Sequence, residues 1–198
     1  MHEELWQQVI GLDGRETSQR AKCQYLQDPD RYVIELLNVE YVVDLSQSQI
    51  FPSQNSSDQK PASFLEQLCI LAYLISARQL PLAGRLVKAE SLPGGEFFFR
   101  GPHELPIKKL TNAFGENPDL LYRASASFNA ERCDFGDASV ELFVLPRIPL
   151  TFVIWAADEE FVPRASVLFD QTASDQLPLD ALLTAVNLAV NALVAANL

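Results

Sequence analysis

From Leu150 to Ala157 the chain carries no charge, and the centre of that run, Phe152-Val153-Ile154-Trp155, is apolar at every position. A strand with one wet face alternates polar and apolar residues. This run therefore predicts a strand in the middle of a sheet, covered on both sides. Such a strand needs a neighbour along each edge. SVELFVLP before it and RASVLF (164–169) after it supply them, giving three successive antiparallel strands. Pro146 and Pro149 cannot donate to a ladder, so they are expected to bracket a connection carrying Arg147 and Ile148.

The rest of the chain has to cover that sheet. Residues 1–27 read as a helical N-terminal segment. Leu5, Trp6, Val9 and Ile10 share a face of its first helix, and a second helix over about 16–26 is stopped by Asp28-Pro29. YVIELLN and VEYVVDL, 32–38 and 39–45, form a hairpin about Asn38, and 46–61 reads as a long polar loop. An apolar helix over 63–79 belongs in the centre of the fold. Phe97-Phe98-Phe99 reads as an aromatic strand packing into core rather than a stacking platform. Short helices follow over 107–115 and 118–131, and the last helix starts after Pro178. Helices, hairpin, helices, meander and helix make an α+β fold, a mostly antiparallel sheet of about five strands packed with helices. The whole of 1–198 is read as one domain.

Composition excludes several roles. A chain of 198 residues buries enough surface to fold without metal or disulfide. The net charge of −11 repels phosphate backbones and anionic lipid, and Lys108-Lys109 is the only adjacent basic pair, so neither nucleic acid nor membrane is an expected partner. Cys23, Cys69 and Cys133 are dispersed and odd in number, which suits reduced thiols in the cytoplasm. The N-terminus lacks the basic region of a secretory signal. Asp180, Thr184, Asn187 and Asn191 interrupt the apolar C-terminal run along one stripe. That makes it a core or oligomer-interface helix rather than a membrane span.

Candidate chemistry gathers where the central run ends. Asp158, Glu159 and Glu160 cannot follow it into the core, so the chain must meet water or cations there. On an extended backbone Asp158 and Glu160 point the same way, an arrangement fit for a cation, a general base or, most commonly, a solvated hairpin tip. His103, in RGPHELP, is a candidate base beside them, with Arg100 as an anion ligand; the bland alternative is a loop imidazole satisfied by nearby backbone. Arg147 and Trp155 complete the candidate binding residues. HExxH, Cys/His metal spacings, phosphate-binding glycine loops and the GxSxG elbow are all absent, so no motif identifies a metal or cofactor.

The successions LAGRLVKAESLPGGEFFFRGPHELP and FGDASVELFVLPRIPLTFVIWAADEEFVPRASVLFDQTASDQLPLDAL resemble the family of domain of unknown function 3786, over residues from about 30 to the C-terminus. The most specific parts are Gly94-Gly95, Arg100 to His103, Gly136-Asp137, Pro146 to Pro149, Trp155 with Asp158 to Phe161, and Leu168-Phe169-Asp170. The resemblance implies a soluble, single-domain prokaryotic protein, from an anaerobe, with no assigned reaction. Some relatives are joined to iron–sulfur-binding segments, whose clustered cysteines this chain lacks. Three readings follow. The leading one is a cytoplasmic domain binding a small molecule or protein partner, in a pocket between the Arg100–His103 loop and the exit of the 150–157 strand. The second is an enzyme using Asp158, Glu160 and His103 on a small polar substrate, with or without a metal. The third is a structural homodimer joined through the C-terminal helix.

Overall fold

In a computed structural model, which describes residues 2–53 and 60–197, the run at 150–157 is the middle strand of a five-stranded antiparallel sheet. The chain begins with helices α1 (His2–Ile10) and α2 (Gly14–Ala21). Strands β1 (Gln24–Leu26), β2 (Arg31–Leu36), β3 (Val39–Asp44) and β4 (Gln49–Pro52) follow, then helix α3 (Phe64–Ser76). Next come β5 (Leu86–Lys88), α4 (Gly95–Phe98), α5 (Ile107–Phe114) and α6 (Asp119–Ser125). The last part runs β6 (Glu131–Arg132), β7 (Ala138–Leu145), β8 (Ile148–Trp155), β9 (Arg164–Asp170), α7 (Ala173–Gln176) and α8 (Leu179–Ala195).

The strands make two sheets, ordered β1-β2-β3-β4 and β5-β9-β8-β7-β6. The α+β class holds, with the hairpin 31–44 belonging to a sheet of its own rather than extending the meander. Strand β8 is buried from Ile148 to Ile154, with Trp155 half-buried at its end. The hairpin turns at Leu37 and Asn38, both at positive φ (50° and 61°), the conformation a two-residue turn between twisted strands requires. Helix α3 starts at a capping box between Ser63 and Glu66 and buries Cys69 to Leu74. It packs against α1 and α8. Helix α8 buries Ala181, Leu182, Ala185, Val186, Ala189, Val190 and Leu193 against its own chain, so this face of the run is core. Among the described residues no helix is long and apolar enough to cross a membrane.

Six local expectations need correction. The helix expected over 118–131 ends at Ser125, and Glu131–Arg132 pair with β7 as β6. The second helix stops at Ala21, where Lys22 turns left-handed (φ 52°), and Gln24–Leu26 pair with β2 instead. The 46–61 stretch contains β4, held to β3 by pairs such as Val43↔Ile50 with Ile50 buried; residues 54–59 lie outside the described ones. Ile10 is exposed although Trp6 and Val9 are core. The aromatic triplet is not a strand. Gly94, at φ 77°, reverses the chain and opens α4, so Phe97 points to solvent at 80% exposure while Phe99 packs near Phe169. Pro149 lies inside β8, opposite Phe143 and beside a bulge in β7. It falls beyond the last registered β8–β9 pair, Leu150↔Phe169, so that ladder does not need its missing N–H.

Candidate functional site

Asp158, Arg100 and His103 each have a partner close by in the chain. Asp158 is not part of an extended strand: its Oδ1 accepts the N–H groups of Glu160 and Phe161 at 2.8 and 2.7 Å, closing a turn. Glu159 and Glu160 are exposed. Arg164 lies over the Trp155 ring at 5.6 Å and the Phe161 ring at 5.9 Å, so this base rests on aromatic faces. His103 is exposed and stacks on Phe98, with centroids 4.6 Å apart and planes at 7°. Arg100 donates to Glu96, one turn back, at 3.3 Å. No hydrogen bond, ion pair or ring contact joins His103 or Arg100 to Asp158 or Glu160. Among the described residues no group of three or more His, Cys, Asp or Glu could hold a metal ion.

Arg147 has a structural position. Its Nε donates to the Arg20 carbonyl at 2.7 Å and its Nη1 to the Leu80 carbonyl at 3.0 Å. Arg20 in turn donates to the carbonyls of Ile75 and Ala77, which α3 leaves without helical partners. The two arginines thus tie the β7–β8 turn, the end of α2 and the end of α3 together.

Next to this clamp the two sheets face each other across a cleft of about 630 Å³. One wall is the outer edge of β2, from Val33 to Glu35, backed by Glu40; the other is β7, at Phe143 and Leu145. Lys22, Cys23 and Gln24 stand at one end, and Phe128 and Asn129 at the other. The cleft exists because both neighbouring strands are short. Strand β1 pairs with β2 only over Arg31–Val33, and β6 pairs with β7 only at Val140 and Glu141. The sheets touch where the Leu37 N–H donates to the Val144 carbonyl at 3.0 Å. Asn38 reinforces that contact by donating to the Ser127 carbonyl and accepting from Asn129. Burial pushes the Cys23 thiol up to about 12, against the opposing charge of Arg20, so the thiol lining the cleft is neutral at physiological pH.

A second groove, about 760 Å³, lies against Ala165–Val167 of β9 and carries Lys88, Lys108 and Lys109 at its rim. It borders the Arg100–His103 loop through Phe99 and Glu104, but none of the sequence candidates lines it. The cleft residues were missed by sequence reasoning. The signal available was Phe143, a large aromatic side chain on the wetter face of an otherwise well-patterned strand.

Fold and cleft together define an α+β protein of two antiparallel sheets with a groove where their edges meet. The model of the family described as domain of unknown function (DUF3786) matches residues 13–192, and the chain belongs to that family. The match takes in α2 and β1, further towards the N-terminus than the resemblance suggested. No match to the chain was found among curated proteins or among solved structures.

Proposed function

We propose that the protein is a binding domain and that the cleft between its sheets is the binding site. The observation that carries this is the cleft's mixed lining: apolar Val33, Phe128 and Phe143 beside Lys22, Glu35 and Glu40, in a volume that suits a small ligand or a short peptide. The thiol within it is held neutral, which argues for binding rather than nucleophilic chemistry. An enzymatic reading centred on Asp158, Glu160 and His103 lacks support, since Asp158 serves its own turn and His103 rests on Phe98.

The test is a small-molecule library titrated into isotope-labelled protein and followed by amide chemical shifts. The expected result is that hits move Val33, Glu35, Asn129 and Phe143 together, and that Phe143→Asp, at an exposed position, weakens them at least about tenfold. Shifts confined to Arg100–His103 and Asp158–Phe161 would overturn the cleft as the site. Shifts confined to Lys88 and Lys108–Lys109 would move the site to the second groove.

A further inference from the structure

We infer that the cleft takes an extended peptide bearing arginine or lysine, which adds as a short strand between β2 and β7. This rests on the cleft being the binding site and names its occupant.

The backbone carries the argument. The hairpin turn at Leu37 and Asn38 makes Leu36↔Val39 a hydrogen-bonded pair, so by alternation Glu35↔Glu40 is a non-hydrogen-bonded one. The N–H and C=O of Glu35 therefore point away from β3, into the cleft. The Leu37 N–H follows the same parity, leaving the hairpin to reach Val144. On the other wall, the Cys133 N–H donates to the Ser139 carbonyl, which sets Ser139, Glu141 and Phe143 as the residues directed towards the β6 side. Strand β6 ends before Phe143, so that residue also presents its N–H and C=O to the cleft. No hydrogen bond among the described residues takes up these four groups. Open strand edges of this kind pair with added strands, and most proteins cover or blunt them. Here two such edges face one gap, and an extended segment of about three residues, at roughly 3.3 Å each, fits alongside Ile34–Leu36, beyond the last β1–β2 pair at Gln24↔Val33.

The side chains select the occupant's chemistry. Glu35 and Glu40 are directly opposite each other on the wetter face, with Cβ atoms about 4.5–5.5 Å apart in such a pair, and like charges so placed repel. Neither has an ion-pair partner among the described residues. Across the gap Phe143 is 43% exposed, on the wetter face of β7. A guanidinium or ammonium entering with the added strand meets both carboxylates, while its stem lies along Val33 and Phe143. Lys22, at the far end, suits the other terminus of the segment.

The probe is acetyl-Arg-Val-Arg-Val-amide, titrated into the full chain and followed by amide shifts. Its controls are the same peptide N-methylated at both central residues and acetyl-Glu-Val-Glu-Val-amide. The expected result is binding that moves the Glu35, Leu37 and Phe143 amides, at least about tenfold weaker with the N-methylated peptide and undetectable with the acidic one. Glu35→Lys/Glu40→Lys, at exposed positions, is expected to lose the arginine peptide and gain the acidic one, with melting temperature confirming that the variant folds. Equal binding of all three peptides, or no effect of N-methylation, overturns the inference. If small molecules occupy the cleft and no peptide does, the inference fails and the binding site stands. If nothing perturbs cleft amides, both fail.

Discussion

Two aspartates at strand ends organise the loops that follow them. Asp170, 3% exposed at the end of β9, accepts from the Ala83 and Gly84 N–H groups and from both the N–H and the hydroxyl of Thr172. Asp44, 1% exposed at the end of β3, repeats the arrangement with Ser46 and Gln47 and adds Arg31 at 3.0 Å. Burial alone would raise both carboxyls, but these donors outweigh it and hold each below the usual carboxylate range. A depressed folded-state pKa means the unfolded chain binds the proton more readily. The contribution is therefore complete above about pH 4 and is lost as pH falls through the lower folded-state value. Asp170→Asn replaces one acceptor oxygen with a donor facing N–H groups, so a loss of about 1–3 kcal/mol is expected near neutrality. Urea titrations at pH 7 and pH 3 check this: the gap between wild type and variant should shrink at the lower pH. A constant gap would mean that the carboxylate's charge plays no part.

Between elements, Arg147 is the joint that the two prolines conceal in the sequence. Arg147→Met keeps much of the stem but leaves the Arg20 and Leu80 carbonyls without their donor. Hydrogen bonds from a charged donor contribute about 1.5–3 kcal/mol each, reduced here because one of the two is exposed to water. An expected cost of about 1–3 kcal/mol would appear as a lower urea midpoint with an unchanged slope; a changed slope would point instead to a loosened native state. The elements of the fold differ in how legible they are in the sequence. Strand β8 and helix α3 announced themselves because unbroken apolar runs leave few alternatives, and Leu37-Asn38 marked its own turn. Strands β1 and β4 carry too few apolar residues to signal anything, and exist because β2 and β3 offer them ladders. The phenylalanines of 97–99 satisfied strand propensity, yet Gly94 and Gly95 decided the outcome: a Cβ on Gly95 would lie 2.0 Å from the Ala89 carbonyl oxygen, a packing only glycine permits. Candidate residues chosen by chemical type are a different case. Asp158 and Arg147 serve backbone groups nearby, a use that charge and spacing do not distinguish from ligand binding.

At the scale of the whole molecule, sequence periodicity reports which face of a strand is buried but not where its edge is left open, so the cleft was invisible until the two sheets were seen together. Their junction is narrow. Among the described residues the Leu37-to-Val144 hydrogen bond is the one backbone link between strands and turns of the two sheets, and Asn38 braces it from the side. If a strand enters by parting the two sheets, this junction must be able to give locally while the core stays closed. Asn38→Gly tests that, because glycine keeps the positive φ of the turn (61°) while removing both side-chain bonds. Losing two exposed hydrogen bonds is expected to ease local opening by about 1–2 kcal/mol, so the Leu37 amide should exchange its hydrogen roughly 5–30 times faster. Amides of β8, such as Ile154, donate within the buried sheet and should keep their rates, because they open only with the molecule as a whole. Faster exchange at Leu37 alone would establish the sheet junction as a separate opening unit. Equal acceleration at Leu37 and Ile154 would mean that the two sheets unfold as one body, and that a strand can enter the cleft only from outside a rigid frame.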